Sequence, residues 1–292
     1  MPELPEVETV KNALRHDIIG KKIKSIDVYY GKIIKNVTID EFKNLLVDEE
    51  FINIHRIGKH LIFELTKYYF VAHLRMEGKY FLMHDEEISK HDHIIFNFYD
   101  GSNLRYNDVR KFGTIYLYDK IKYRSIDDLK DLYPLNKVGL EPFDDKMNVQ
   151  YLKDKFKDLK KSSIKQALLD QSIIAGLGNI YVDEVLYLSK LHPEIKANLL
   201  NDEELKLIID SSIKVLNKAI NLGGTTIRSF QSSHEISGRF QNELNVHTKE
   251  KCPCNHDVVK IRVGGRGTYF CPVCQKNNKK EGIQWLKKEV YY

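Results

Sequence analysis

The chain has 292 residues, 42% of them hydrophobic, enough for about two domains with real cores and above the range of disordered sequences. No apolar run approaches the ~18 residues of a membrane span, and the acidic N-terminal stretch lacks the apolar segment of a signal peptide, so a cytoplasmic protein with no membrane partner is expected. Net charge is +5, from 46 basic and 41 acidic residues, which solubility alone explains; nucleic-acid binding requires those bases to cluster on one face.

The first six residues are Met1-Pro2-Glu3-Leu4-Pro5-Glu6. Initiator methionine is commonly removed before a small residue, which would leave Pro2 as a free secondary amine. Such an amine titrates near ~8, is partly neutral in the cell, and can form a Schiff base with an electrophilic carbon. The alternative is an ordinary helix start, with Pro5 in the first turn and Glu3 and Glu6 at the positive end of the dipole. Val7, Val10 and Leu14 then mark one face of a helix ending before Gly20.

Residues 21–118 carry mostly β signals, with strands predicted at 59–65, 68–74, 79–83, 94–99 and 114–118 and a short helix at 41–46. Asp100-Gly101 is a hairpin dipeptide. Several short strands with spaced turns point to a sandwich or a partly open barrel. Residues 123–140 read as a polar linker. Helical spacing follows: Leu152, Phe156 and Leu159; a Ser163-capped helix with Ile164, Ala167 and Leu168; a break at Gly176 and Gly178; and a helix over 179–189. A long helix capped by Asp202 would carry Leu205, Ile209, Ile213, Leu216 and Ile220 and stop at Gly223-Gly224. Residues 225–251 are polar, and a loop of that length is usually functional or mobile. Two short strands, 260–263 and 268–270, flank Gly264-Gly265-Arg266-Gly267. In the charged tail, Ile283, Trp285 and Leu286 could dock a short helix.

The four cysteines fall at 252, 254, 271 and 274, with 16 residues between Cys254 and Cys271. Two close thiolate pairs around a hairpin suit tetrahedral zinc in a ribbon finger. The first pair, Cys252-Pro-Cys254, is one residue shorter than the usual knuckle, and His256 is an alternative ligand. A metal-free finger or free thiols are the other readings. Arg266 at the glycine-rich tip is shaped to grip a phosphate, or is simply a solvated turn. Gly176, Gly178 and Asn179 form either a phosphate-facing helix start or a tight interhelical turn. Arg110 beside Phe112 in a hairpin loop could wedge into a duplex, or could anchor an ordinary loop. His91-Asp92-His93 suits a polar cluster at the start of a strand better than a metal pair.

Together these pieces resemble the formamidopyrimidine-DNA glycosylase family of bacterial repair enzymes. The matching stretches are MPELPEVET at 1–9, Gly58-Lys59, HLRMEG at 73–78, KHDH at 90–93 and DVRKFG at 108–113. They continue with SIIAGLGNIYVDE at 172–184, GGTTIRSF at 223–230 and GGRGTYFCPVCQ at 264–275. The resemblance implies an α+β chain: an N-terminal β-sandwich, a helix-two-turn-helix domain and a C-terminal zinc-ribbon finger. The corresponding boundaries are 1–122, a linker at 123–146, 147–224, a lesion-capping loop and connection at 225–247, the finger at 248–276 and a tail at 277–292.

It further implies a monomeric base-excision-repair enzyme that removes oxidised purines from damaged double-stranded DNA and cleaves the resulting abasic site. Pro2 would be the nucleophile and Glu3 the general acid/base, with Glu6 in support. Lys59 would touch phosphate and assist elimination. Met76, Arg110 and Phe112 would fill the void left by the flipped base. His91, Lys161, Asn179 and Arg266 would hold the DNA backbone, with Arg266 also serving the later elimination. Arg228 would contact DNA from the loop 225–241 that closes over the extruded base. One structural Zn2+ would be held by Cys252, Cys254, Cys271 and Cys274. Two rival readings are an endonuclease VIII-like enzyme of the same fold and a non-catalytic finger protein that only recognises bent or damaged DNA. The short Cys252–Cys254 pair and the long tail depart from the family pattern.

Overall fold

The computed structural model describes residues 1–225, 230–231 and 238–279. Two compact units emerge. The first comprises Met1–Asp144, Asp170–Gly178 and Ile213–Glu243; the second comprises Asp145–Leu169, Asn179–Ser212 and Leu244 onward.

The first unit opens with α1 (Leu4–Ile18), whose Val7, Val10, Leu14 and Ile18 are fully buried. Then come β1 (Ile23–Val28), α2 (Ile39–Leu46), β2 (Phe51–Ile57), β3 (His60–Leu65), β4 (Tyr68–His73) and β5 (Lys79–Met83). β6 (Asp92–Phe98), β7 (Asn103–Asn107), β8 (Thr114–Asp119) and the short α3 (Ile126–Leu129) complete the N-terminal run. One sheet has the order β2-β3-β4-β8. The other is β1-β6-β7-β5, extended on β5 by a parallel two-residue strand later in the chain.

Rings from both sheets meet in one core. Phe63 stacks on Phe70 at 4.3 Å, Phe70 on Phe96 at 5.6 Å, and Phe51 makes edge contacts with all three. The expected β-sandwich is therefore present, and the linker region contributes Leu129 and Leu135 to a second apolar cluster on the outer face of the β2-β3-β4-β8 sheet. β1, β2 and β7 were not separately marked in the sequence.

In the second unit α4 (Val149–Phe156) buries Leu152 and Phe156 but ends before Leu159. α5 (Ile164–Leu169) starts as expected: Ser163 and Gln166 cap one another reciprocally. α6 (Asn179–Leu188) is buried almost all round, carrying Asp183 and Glu184 inward with its apolar residues. α7 (Asp202–Asn221), which belongs to the first unit from Ile213 onward, is capped by Asn201, not Asp202: Asn201 Oδ1 accepts from Glu204 N and Glu204 Oε2 accepts from Asn201 N. Leu205 and Leu216 are buried as expected, whereas Ile209, Ile213 and Ile220 are only half-buried and Ile208, Ser212, Val215 and Ala219 take the buried positions. After β9 (Phe230–Gln231), the strand added to β5, the finger hairpin is β10 (Val259–Val263) against β11 (Arg266–Phe270). Among the described residues no helix is long and apolar enough to cross a membrane. The tail residues Ile283, Trp285 and Leu286 lie outside the described residues.

Candidate active site and zinc finger

Met1 is exposed, but the residues that follow it are built into the first unit. Pro2 is buried, and Glu3 and Glu6 are 4% and 5% exposed. Glu3 is the N-cap of α1, and its N–H donates to Glu6 Oε2 at 2.9 Å. The other oxygen of Glu6 accepts from the backbone N–H and the hydroxyl of Thr225 at 2.9 and 3.0 Å. One carboxylate thus ties the helix start to the beginning of the polar loop.

The glycine turn at 176–178 receives these groups. Leu4 N–H donates to Gly176 O at 3.0 Å. Gly176 has φ +97°, open to glycine but rare for other residues, and a Cβ there would sit 2.4 Å from Leu4 Cδ1. A Cβ on Gly178 would sit 2.3 Å from Glu3 Cδ. The turn is small because two side chains of the N-terminus occupy the space. Lys59, 4% exposed, donates to Leu177 O at 2.7 Å, and Gln171 Nε2 donates to the same oxygen at 2.7 Å. The glycine turn therefore gathers Glu3, Leu4 and the Lys59 ammonium.

Lys59 is aimed by the turn before it. Gly58 has φ +57°, and its N–H donates to Glu141 Oε1 at 2.7 Å. Arg56 holds the same Glu141 with two 2.8 Å bonds and also grips Glu8 and Gly58 O. Such a bidentate pair fixes both position and orientation. Behind Lys59, His60 and His73 meet edge to face at 4.6 Å. Burial first, then the positive charges of Arg75 and Lys59, holds His60 down to about 4. His73 falls to about 2 through burial, with His60, Arg75 and Lys59 adding to it. Both rings are neutral at pH 7, and His73 Nδ1 accepts from Arg75 N–H at 2.8 Å.

Met76 and Phe112 are among the large apolar side chains exposed on the first unit, at 39% and 52%. Arg110 lies over the Phe112 ring at 4.6 Å. Asp108, fully buried, builds this loop: its carboxylate accepts from the N–H of Arg110, Phe112 and Gly113 at 2.8–3.0 Å. His91 is half-buried at the start of β6. Its neighbours Asp92 and His93 are held by Arg105 and Asn107, and by the Asp108 carbonyl, so the triplet is a polar strand start with no metal geometry.

In the second unit Asn179 heads α6 and donates from Nδ2 to Gly267 O at 2.9 Å. Arg266 is exposed at the hairpin tip, and Lys161 is exposed on the segment before α5. Arg228 lies outside the described residues. The metal-ligand atoms of Cys252, His256, Cys271 and Cys274 all fall within 4.8 Å of one another, and the exposed Cys254 is outside that group. Zinc bonds of about 2.3 Å to sulfur, arranged tetrahedrally, put ligand atoms about 3.8 Å apart. The observed separations are 4.0 Å for Cys252 to Cys274, 3.9 Å for Cys252 Sγ to His256 Nδ1, and 3.5 Å for Cys274 Sγ to His256 Nδ1. Burial and the neighbouring sulfurs push the Cys274 thiol up to about 12, the strain a bound cation removes. The donor set fits one structural zinc with three sulfurs and one nitrogen.

Three family models match the chain: the formamidopyrimidine-DNA glycosylase N-terminal domain over residues 1–115, its H2TH domain over 138–231, and a zinc finger found in FPG and IleRS over 249–277. A formamidopyrimidine-DNA glycosylase of Oceanobacillus iheyensis is 43% identical, covering 97% of this chain and all of that one. One from Bacillus cereus is 46% identical over 94% and 99% of the two chains.

The chain belongs to the formamidopyrimidine-DNA glycosylase family.

It is thus a DNA glycosylase/AP lyase with one structural zinc. Two solved structures of the Lactococcus lactis Fpg superpose on it. The wild-type protein with DNA containing N7-benzyl-Fapy-dG has a TM-score of 0.85 at 43% identity over 94% of this chain and 100% of that one. A complex with abasic-site DNA has a TM-score of 0.84 at 43% identity over 94% and 99%.

Within this glycosylase fold, sequence reasoning missed several supports. Asp108 had a signal, an Asp at the head of a loop, where it commonly binds nearby N–H groups. Glu141, which sets the Lys59 turn, had none, because its partner Arg56 is 85 positions away. Lys165, buried on Asp183, was also missed.

Proposed function

We propose that this chain excises oxidised purines, such as 8-oxoguanine and formamidopyrimidines, from duplex DNA through a Schiff base on Pro2. The observation that carries this is the glycine turn at 176–178, which gathers Glu3 and the Lys59 ammonium beside the buried start of the chain at Pro2. Removal of Met1 turns the Pro2 nitrogen from an amide into a secondary amine, and such an amine next to a carboxylate suits covalent catalysis at a sugar carbon.

A base inside a duplex is out of reach and must be rotated out, which costs a few kcal/mol of unstacking. Met76, Arg110 and Phe112 fill the space it leaves. The Pro2 nitrogen attacks C1′ while the bond from C1′ to the base breaks, and the base departs with the electron pair and gains a proton. Glu3 supplies and removes protons around the sugar. The Pro2 nitrogen loses its proton, and the C1′–O4′ bond then breaks as O4′ takes a proton from Glu3, which leaves the open-chain iminium; this acidifies C2′–H, and loss of that proton breaks the bond from C3′ to its oxygen. Loss of the C4′ proton then breaks the bond from C5′ to its oxygen, leaving a gap with phosphate at both ends. Lys59 and Arg266 meet the phosphates that leave, and His91, Lys161 and Asn179 hold the backbone. Arg228 and the loop at 225–241 cover the extruded base. The protein works as a monomer in the bacterial cytoplasm, where the chromosome lies.

For the finger we propose Cys252, His256, Cys271 and Cys274 as ligands in place of the all-cysteine set. Zinc there stabilises the hairpin and takes no part in the chemistry.

Borohydride trapping on 8-oxoguanine duplex tests the mechanism. A covalent adduct is expected with the processed protein and not with Pro2→Gly. Normal cleavage by Pro2→Gly or Glu3→Gln would overturn it. Faster excision of thymine glycol than of 8-oxoguanine opposite cytosine would favour the endonuclease VIII-like reading.

A further inference from the structure

Arg266 sits on β11, and the free edge of β11 is held by buried charge on α6. Gly267 C=O and Tyr269 N–H face away from β10, where a strand edge leaves backbone groups without ladder partners. Asn179 Nδ2 takes the first at 2.9 Å, and Asp183 Oδ2 takes the second at 3.1 Å. The residue next to Arg266 is therefore anchored, and so is the residue two further on.

Those anchors are themselves held. Lys165, with a fully buried side chain, donates to Asp183 Oδ1 at 2.6 Å and to Asn179 O at 3.2 Å. His247 Nδ1 pairs with Asp183 Oδ2 at 2.7 Å, and its ring meets Tyr269 edge to face at 4.9 Å. The backbone of His247 is fixed in turn, since Glu184 accepts from the N–H of Asn245, Val246 and His247 at 2.7–3.0 Å. A lysine and two acids without exposure are costly unless each is paired. This cluster spends its pairing on Asn179 and β11.

We infer that Lys165, Asp183 and His247 are positioning residues for the elimination half of the reaction: they set the pose of Arg266 and Asn179 through β11 and the start of α6. The inference rests on the role proposed for Arg266. In this view base excision and elimination are separable: loosening the cluster lets Arg266 wander from the phosphate it must meet, while attack at C1′ is untouched. Small displacements at a reacting group cost far more rate than stability.

The test reads the product ratio from 5′-labelled 8-oxoguanine duplex. The unsaturated aldehyde left by the first elimination and the 3′-phosphate left by the second migrate differently. The ratio counts only molecules that have reacted, so misfolded protein does not enter it. Three variants are compared with the parent protein: His247→Ala, His247→Asn, whose amide can still donate to Asp183, and Arg266→Gln.

Arg266→Gln and His247→Ala should each raise the aldehyde fraction at least fivefold. His247→Asn should restore most of the parental ratio, and the double variant Arg266→Gln/His247→Ala should be no worse than Arg266→Gln alone. Single-turnover excision should stay within about threefold for His247→Ala, about half of the tenfold step that ~1.4 kcal/mol represents. A parental ratio in His247→Ala, with Arg266→Gln altered, would overturn the positioning role alone. If Arg266→Gln itself keeps the parental ratio, the role proposed for Arg266 fails, and the inference fails with it. Lys165→Met is the sharper variant if it folds, and zinc content checks that the finger survives.

Discussion

Replacing Gly178 by alanine isolates the contact on which the proposed chemistry depends. The added methyl would lie 2.3 Å from Glu3 Cδ, 2.5 Å from Oε1 and 2.7 Å from Cγ. Carbon atoms rest near ~3.5 Å apart, so Glu3 or the turn must give by about 1 Å. Gly178 does not have a positive φ, so the backbone accepts alanine and the steric contact stands alone. Overpacking of this size costs about 1–3 kcal/mol. Loss of glycine freedom in the unfolded chain offsets about 0.4–1 kcal/mol of it. The melting temperature should therefore fall by only a few degrees. The rate is another matter, because a misplacement of about 1 Å at a catalytic group costs on the order of 100-fold. Single-turnover excision of 8-oxoguanine and binding to a duplex with an abasic-site analogue would be measured side by side. Excision should drop by roughly two orders of magnitude while binding changes little. A variant that excises within twofold of the parent would refute the claim that Glu3 fills the space over Gly178.

Acid should destabilise the first unit through His60. Its pKa is about 4 in the fold against 6.5 when unfolded, so the unfolded chain binds more protons between those values. Stability from His60 is complete above pH 6.5 and is lost as pH falls toward 4; at pH 5 its share of the loss is about 2 kcal/mol, and His73, held down to about 2, adds a share of similar size that remains in the His60→Phe variant. Urea titration at pH 7.5 and 5 should show it, and His60→Phe should flatten the slope; equal slopes would contradict the assignment. Asp108→Ala removes the acceptor for three loop N–H groups, each bond to a charged acceptor being worth about 1.5–3 kcal/mol. Binding to lesion duplex should weaken at least tenfold, and an unchanged affinity would show that the loop shapes itself without Asp108. For the finger, Cys254→Ser should retain one zinc per chain by metal analysis, whereas Cys271→Ser and His256→Ala should lose it. Loss of zinc in Cys254→Ser would restore the all-cysteine set.

The parts of the fold that were legible have clean periodicity. α1 announces itself through Val7, Val10 and Leu14, and β3, β4 and β8 through runs of aromatic and branched residues. β1 and β2 were obscured because each carries a register shift, between Ile23 and Ser25 and between Phe51 and Asn53, which breaks the alternation. β7 was obscured because its inward residues include Asn103 and Arg105, polar groups satisfied by Asp92 and by the backbone at 84–87. In the site, Pro2, Glu3, Lys59 and the glycine turn could be named from their motifs. Their supports could not, since Glu141, Asp183 and His247 act across long sequence separations that no local pattern encodes. The finger was legible as a finger, but whether Cys254 or His256 closes the donor set depends on where a two-residue step points a side chain.

The two carboxylates at the head of α1 leave a mark far down the chain. Glu3 occupies the space over Gly178, and a Cβ on Gly224 would come within 2.7 Å of Glu6 Oε1. Each acid therefore forbids a side chain at one distant position. At position 178 the prohibition lasts only as long as the acid does, whereas Gly224 is also held by its own φ of +76°. In a lineage that abandoned the chemistry and kept the fold, position 3 would be released first, and position 178 would then be free to gain a side chain. Paired drift at these sites would date the loss of activity in a descendant, and joint retention of acid and glycine would mark chains still under selection for cutting.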